Sequence, residues 1–153
     1  MKKIKLTKGR FALVDDDDFE YLNQSNWNAV HNPNEDTFRV VGTITMSRII
    51  MKCPADFVVD HINHDTLNNC KDNLRIVTRS QNMMNQTPQK NTSSKFKGVY
   101  WSYKSNKWIT QIFFKGKHIH LGCFDDEVLA SRVYNVMAKY LFGKYARLNR
   151  WDV

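Results

Sequence analysis

The chain has 153 residues, a formal net charge of +8 and a pI near 9.5. This length allows one mid-sized domain or two small ones, and 42% hydrophobic residues exclude wholesale disorder. No apolar run approaches the roughly 18 residues of a membrane span, so we expect no membrane partner. Three cysteines without Cys-x-x-Cys spacing, and an apolar run that stops at residue 14 before four acids, favour a reducing cytoplasm over secretion.

The excess positive charge lies in the last part of the chain. Residues 1–88 contain 11 basic and 11 acidic residues, whereas residues 89–153 contain 12 basic and 4 acidic. A basic half indicates a polyanionic partner, most often nucleic acid, and the alternative is a solvated basic surface without a partner. The polar stretch 87–94 has no periodicity. We therefore predict two domains, 1–88 and 95–150, joined by a linker at 89–94.

The first 50 residues show strand and helix patterns. Residues 11–14 form a short apolar strand candidate, and further strands are predicted at 27–30 and 37–46. The acids at 15–18 could suggest a metal cluster. We expect them instead to cap the following helix and complement its dipole.

Residues 57–88 have the order strand, polar loop, strand, helix. The strands are predicted at 57–61 and 74–78, and Ser80 is the expected cap of a helix containing 81–85. Residues 95–150 contain three strand patterns, at 96–102, 107–114 and 117–122, which short turns join into an antiparallel meander. A helix follows, with an apolar stripe that begins at Leu129 and recurs every four residues as far as residue 141. Ala130, Tyr134 and Ala138 widen this stripe.

Four polar residues of the 57–88 segment suggest hydrolytic chemistry. His61 is a ready proton acceptor near pH 7. Asp60 and Asn82 offer hard oxygen ligands, which favour Mg²⁺ or Mn²⁺ over zinc. A metal held in this way can stabilise the charge that builds up on a phosphodiester. The amide of Asn73 can hold the imidazole in one orientation.

The runs Val59-Asp-His-Ile-Asn63, Leu67-Asn-Asn69, Asp72-Asn-Leu-Arg75 and Ser80-Gln-Asn82 resemble the HNH endonucleases, in particular phage and intron-type homing endonucleases. The resemblance implies a ββα-metal motif over 57–86 and one Mg²⁺ or Mn²⁺ ion per active site. It implies that His61 is the general base, that Asn73 orients it and that Asp60 and Asn82 hold the metal. Two positions depart from the family, Ser47 where His is frequent and Cys70 where Arg is common.

The second segment resembles the DNA-binding domain of plant ethylene-response factors, the APETALA-two type. The matching residues are Phe96-Lys-Gly-Val99, Lys107-Trp108, Leu121-Gly122 and Ala146-Arg-Leu-Asn149. In that family the sheet enters the major groove. Strand alternation then places Trp108, Thr110 and Ile112 towards the helix and Ile109 outward. The predicted DNA contacts are Lys97, Tyr100, Ser102, Lys104, Gln111, Phe113, Lys115, His118 and His120.

We therefore predict an α+β fold, with an N-terminal ββα-metal nuclease domain followed by a three-stranded antiparallel sheet packed on one helix. The predicted function is metal-assisted hydrolysis of double-stranded DNA by a monomeric phage homing endonuclease in the host cytoplasm. A catalytically inactive regulatory DNA-binding protein is the main alternative, and an RNA-binding protein fits the basic half alone. For His118 and His120, a merely polar strand face also remains open.

Overall fold

A computed structural model describes residues 1–33, 37–88 and 92–151. It is a mixed α+β structure of helices and small antiparallel sheets, divided into two compact units, Met1–Asn82 and Met83–Val153. The linker predicted at 89–94 falls within the second unit, and residues 89–91 lie outside the described ranges. Within those ranges, no helix has the length and apolar character needed to cross a bilayer.

The first unit begins with two antiparallel hairpins and two short helices. Their bounds are β1 Lys2–Lys5, β2 Phe11–Val14, α1 Asp16–Leu22, β3 Asn28–Asn32, β4 Thr37–Val41 and α2 Met46–Ile50. The strand predicted at 37–46 thus ends at Val41. Alternate strand residues and the inner faces of the helices form one core, which includes Ile4, Val14, Leu22, Trp27 and Met46.

The acids at 15–18 have only part of the predicted role. Three of them lie in the first turn of α1, as expected for acids that complement the helix dipole. Asp15 precedes the helix, but its side chain makes no capping hydrogen bond. Its Oδ2 accepts a hydrogen bond from the backbone N–H of Lys71 at 2.8 Å, and the Lys71 ammonium lies 2.8 Å from Asp18. The Asp15 carboxylate therefore accepts from a backbone N–H that is distant in sequence, not from the first N–H groups of α1. The acidic run fastens α1 to the segment that leads into the next hairpin.

The first unit ends with a hairpin and the first half of a helix, whose last residues belong to the second unit. β5 (Val58–His61) pairs antiparallel with β6 (Leu74–Val77), and α3 (Arg79–Asn85) follows directly. Thr78, not the predicted Ser80, caps α3. The Thr78 hydroxyl accepts from the Gln81 N–H at 3.2 Å, and the Gln81 side chain accepts from the Thr78 N–H at 2.9 Å. This reciprocal pair is a capping box, which needs Thr and Gln three residues apart.

The second unit contains a three-stranded antiparallel sheet in the order β7-β8-β9. The bounds are β7 Val99–Ser102, β8 Lys107–Phe114, β9 Lys117–Phe124 and α4 Glu127–Phe142. Ile112 packs against Tyr134 of α4, and the Thr110 hydroxyl donates to the Ala130 carbonyl at 3.1 Å. One face of the central strand is therefore covered by the helix.

Helix α4 buries one side of the predicted apolar stripe, the row that begins at Ala130. Ala130, Tyr134, Ala138 and Phe142 are all buried, whereas Leu129 is 49% exposed. The rows that begin at Leu129 and Ala130 both repeat every four residues, so periodicity alone does not separate them. The row with two alanines lets the helix approach the sheet closely, and the larger Leu129 lies outside that contact.

Two residues of the motif in the second segment are structural. Gly98 has φ +76, and a Cβ at this position would lie 2.1 Å from Cδ2 of Tyr134. Asn149 bonds both the N–H and the carbonyl of Lys97, at 2.7 and 3.1 Å. The Asn135 side chain in turn bonds the backbone of Asn149. The motif therefore joins the segment before β7 to α4 and to the chain that follows it.

Candidate active site

Asp60 and His61 are the last two residues of β5, where the chain enters the loop between the paired strands. Their cross-strand partners are Arg75 and Leu74. Successive strand residues point to opposite faces, so the two functional candidates leave the strand on different sides. The loop 62–73 follows directly and connects β5 to β6.

The Asp60 carboxylate is paired with Arg75. The Nε and Nη2 atoms of Arg75 donate to the same carboxylate oxygen, Oδ2, at 2.8 and 2.7 Å. Asp60 is only 8% exposed. A buried carboxylate is costly without a compensating cation, and the directly opposite strand position supplies one. Arg75 was not among the predicted site residues, although the pairing of strands 57–61 and 74–78 could have suggested its contact with Asp60.

The His61 imidazole is partly buried and contacts an amide of the loop. Its Nε2 lies 3.3 Å from Oδ1 of Asn69. Burial lowers the pKa of His61 below 6.5, while the Asn69 hydrogen bond and the nearby Asp60 charge oppose this shift. The net lowering favours a neutral ring at pH 7, which is the form that accepts a proton.

Asn73 holds the loop rather than the imidazole. Its Oδ1 accepts from the Asn63 N–H at 3.0 Å, and its amide donates to the carbonyls of Asn68 and Asp65 at 2.8 and 3.5 Å. An amide has two N–H donors, and both are used here. Asn69, and not the predicted Asn73, therefore contacts the histidine, because the path of the loop decides which amide reaches the ring. Asn73 is 6% exposed, and it shapes the loop that carries Asn69.

The loop is also bonded to β2. The Leu13 N–H donates to the Leu67 carbonyl, and the Asn69 N–H donates to the Leu13 carbonyl, both at 2.8 Å. These two bonds form a short parallel bridge between the loop and the first hairpin. The position of Asn69 is therefore set by its own loop and by a neighbouring strand.

A second arginine fixes the segment before β5. The Arg48 guanidinium donates to the carbonyls of Cys53, Pro54 and Phe57 at 3.2, 2.7 and 2.7 Å. Arg48 lies on α2 next to Ser47, and it was not among the predicted site residues. Ser47 and Cys70, the two departures from the family pattern, are both buried, so they are packing positions.

Asp60 and Asn82 are the residues whose chemistry fits a hard divalent cation. Asp60 contributes a carboxylate, of which Oδ2 is shared with Arg75, and Asn82 contributes a half-buried amide on α3. Oxygen donors of this kind suit Mg²⁺ or Mn²⁺. Among the described residues, no group of three or more His, Cys, Asp or Glu side chains could hold a metal. A metal bound by these two side chains would need further ligands, such as water or substrate oxygens.

Lys97 is not available for the predicted DNA contact. Its ammonium donates to the carbonyls of Met83, Met84 and Gln86 at 3.1, 2.7 and 2.9 Å. These acceptors occupy all three N–H groups and satisfy the carbonyls at the end of α3. Burial lowers the pKa of Lys97 to about 8. The family motif that selected Lys97 gave no sign of this capping role.

The outer face of the sheet presents aromatic and imidazole rings. Tyr100 is 38% exposed and Phe113 is 47% exposed. Phe113 lies beside His118, with ring centroids 4.9 Å apart. The next histidine, His120, has Nε2 3.6 Å from the sulfur of Cys123. Several of the predicted contact residues therefore share this face.

The other predicted contact positions differ in their surroundings. Ser102 accepts a hydrogen bond from the Ser105 N–H at 3.4 Å and thereby stabilises the β7–β8 turn. Lys104 and Lys115 are exposed in turns, and Gln111 is half-buried on β8. Ile109, expected to face outward, is only 9% exposed. Outward alternation on β8 thus does not by itself produce exposure.

The segment that contains Asp60 and His61 matches a known protein family. A family model described as HNH endonuclease matches residues 52–84, which contain β5, β6 and most of α3. An uncharacterised HNH endonuclease, L560, of Acanthamoeba polyphaga mimivirus is 32% identical over 151 residues, covering 95% of this chain and 78% of that protein. Protein 3.8 of Escherichia phage T7 is 32% identical over 95 residues, covering 61% of this chain and 77% of that protein. No solved structure matches significantly.

The matched segment contains Asp60 and His61 at the end of β5, the paired strand β6 and most of α3. The chain belongs to the HNH endonuclease family. Family membership indicates nuclease activity, and therefore DNA as the substrate class.

Proposed function

We propose that the chain is a divalent-metal-dependent endonuclease of double-stranded DNA, with His61 as the general base. The observation that carries this proposal is the position of His61, partly buried at the end of β5 beside Asp60, within the segment matched by the family model. Its lowered pKa keeps the ring neutral at pH 7, ready to take a proton from an attacking water.

The other residues of the first unit hold this arrangement. Asp60 and Asn82 would hold one Mg²⁺ or Mn²⁺ ion, which supplies stabilisation of negative charge on the phosphate and leaving oxygen. Arg75 fixes the position of the Asp60 carboxylate through their ion pair. Asn73 shapes the loop that carries Asn69, whose side chain contacts His61.

The second unit is proposed to hold the duplex. Residues 89–153 contain 12 basic and 4 acidic residues, which favours contact with phosphates. Tyr100, Gln111, Phe113, His118 and His120 lie on the strands that would face the groove, and Ser102, Lys104 and Lys115 lie at the ends of those strands. The APETALA-two-like docking mode, monomeric action and a homing role in the host cytoplasm are parts of the same proposal. The mimivirus and phage sources of the relatives support a viral setting.

Incubation of a supercoiled plasmid with the full chain tests the activity. We expect nicking or linearisation in Mg²⁺, none in EDTA, and a loss of about 10²–10⁴-fold for His61→Ala. The matched control is His31→Ala, a histidine on β3 outside the matched segment. Equal cleavage by the wild type and His61→Ala would refute the assignment of the base.

The second candidate function is DNA binding without cleavage. The observation that favours it is the Asp60–Arg75 ion pair, because Arg75 already occupies one oxygen of the proposed metal ligand. The same plasmid experiment separates the two functions. A mobility shift of the plasmid without metal-dependent cleavage would favour the binding protein.

A further inference from the structure

The Asn69 side chain can face His61 in only one way. Its Nδ2 atom lies 3.3 Å from the Leu67 carbonyl oxygen and 3.5 Å from that of Thr66. Rotating the amide by half a turn would place Oδ1 against two carbonyl oxygens, which repel it, and remove both hydrogen bonds. The oxygen Oδ1 must therefore face His61.

This orientation determines which imidazole nitrogen carries hydrogen. The Asn69 oxygen is an acceptor, and it lies 3.3 Å from Nε2 of His61. A hydrogen bond between them requires Nε2 to be the donor. In a neutral imidazole one nitrogen bears hydrogen and the other accepts, so Nδ1 becomes the accepting atom.

Asn69 is rigid enough to impose this choice. It is 1% exposed, and its backbone N–H is bonded to Leu13 of the neighbouring strand. The residue before it, Asn68, accepts from the Cys70 N–H through Oδ1 and bonds to Asn73 through its carbonyl. The carbonyls that hold the Asn69 amide belong to the same short loop. A rotation of the Asn69 side chain would therefore break its two bonds to the Thr66 and Leu67 carbonyls.

We propose that Asn69 is the positioning residue of the site: it holds the His61 ring and selects the tautomer with hydrogen on Nε2, so that Nδ1 is the atom that removes the proton from water. The catalytic part of this inference rests on the proposed nuclease function. The tautomer itself can be measured without any cleavage. The reaction step is a simple transfer, in which Nδ1 gains the proton as the water oxygen attacks phosphorus and the leaving oxygen departs.

Nitrogen-15 NMR of the full chain without metal, at a pH where the ring is neutral, measures the tautomer. Long-range proton–nitrogen correlations distinguish hydrogen on Nε2 from hydrogen on Nδ1, and the spectrum of His61→Gln assigns the signal among the five histidines. We expect hydrogen on Nε2 in the wild type. A wild-type ring with hydrogen mainly on Nδ1 would overturn the proposal, whatever any variant does.

Variants at position 69 test the cause. Asn69→Leu has a similar size but no acceptor, so the Nδ1–H form should gain population. Asn69→Asp keeps an acceptor and should retain hydrogen on Nε2. Asn63→Ala is the matched control, since it removes an asparagine hydrogen bond from the same loop, to the Asp65 N–H, without touching the ring. An unchanged tautomer in folded Asn69→Leu would contradict the proposal.

Single-turnover cleavage links the tautomer to catalysis. We expect Asn69→Leu to slow cleavage by about 10- to 100-fold with DNA affinity unchanged, as for other residues that orient a functional histidine. A full cleavage rate despite a changed tautomer would refute the positioning role. If the wild type cleaves nothing in Mg²⁺ or Mn²⁺, the nuclease proposal fails, while the NMR result still decides the tautomer.

Discussion

Arg75→Met removes the cation that neutralises a buried carboxylate at the candidate site. In the wild type, two Arg75 nitrogens lie 2.7 and 2.8 Å from Asp60 Oδ2, and the side chains of Asp60 and Arg75 are 9% and 17% exposed. Methionine retains much of the packing of the arginine stem but none of its charge. The carboxylate is then left without this partner in a largely dry position.

The expected loss of stability follows from that burial. Removing one member of a buried ion pair costs about 3–5 kcal/mol. The remaining exposure of Arg75 places the expected value near the lower limit, about 3 kcal/mol. For a unit of this size, that loss lowers Tm by roughly 12–24 °C.

Metal binding should reverse part of this loss. If Asp60 is a metal ligand, Mn²⁺ can supply the missing positive charge, and a ligand at 100 times its Kd contributes about 2.7 kcal/mol. Mn²⁺ should therefore raise the Tm of Arg75→Met more than that of the wild type, in which Arg75 shares the carboxylate. The double variant Asp60→Asn/Arg75→Met should lose this response.

Thermal unfolding of the full chain in EDTA and in Mn²⁺ measures these effects. Arg79→Met is the matched control, since it removes the same charge from an exposed residue at the start of α3. Equal Tm values for Arg75→Met and Arg79→Met in EDTA would refute the stabilising role of the pair. An equal Mn²⁺ response in Arg75→Met and the double variant would refute Asp60 as a ligand.

Three further predictions concern other parts of the chain. Gly98→Ala places a Cβ 2.1 Å from the Tyr134 ring at φ +76, so urea unfolding should show a loss of about 2–5 kcal/mol in the stability of the second unit. The control Gly116→Ala has a similar φ of +80 but open space around the Cβ, and it should cost about 1–2 kcal/mol. Because burial lowers the pKa of His61, the rate of cleavage should fall on the acid side with a midpoint below pH 6.5; a midpoint above 6.5 would contradict this shift. Lys115→Gln should reduce the salt slope of DNA binding by about one in fluorescence anisotropy, and an unchanged slope would place this lysine outside the interface.

The order of elements around the candidate site could be predicted from local patterns. β-branched residues at 57–61 and alternation at 74–78 predicted two strands, which the structure places at Val58–His61 and Leu74–Val77. Side-chain partners could not be predicted in the same way. Asn69 and Asn73 are both loop amides near His61 in sequence, and only the path of the loop decides which one reaches the ring.

The errors in the second segment have the same origin. Lys97 was selected by its place in a motif, but its long side chain reaches the carbonyl end of α3. On α4 the predicted stripe contained both Leu129 and Ala130, and close packing on the sheet buries the smaller alanine but leaves Leu129 exposed. Pattern reading locates an element more readily than it identifies the contacts of one side chain, because those contacts depend on distant parts of the chain.

The central claim is that His61 performs the cutting chemistry while other residues hold the DNA. The most direct measurement is a single-turnover cleavage rate on DNA already bound by an excess of protein, in Mg²⁺, for the wild type and His61→Ala. The account predicts DNA affinities within about twofold and a cleavage rate that is about 10²–10⁴-fold lower in the variant. Equal cleavage rates at equal occupancy would contradict it.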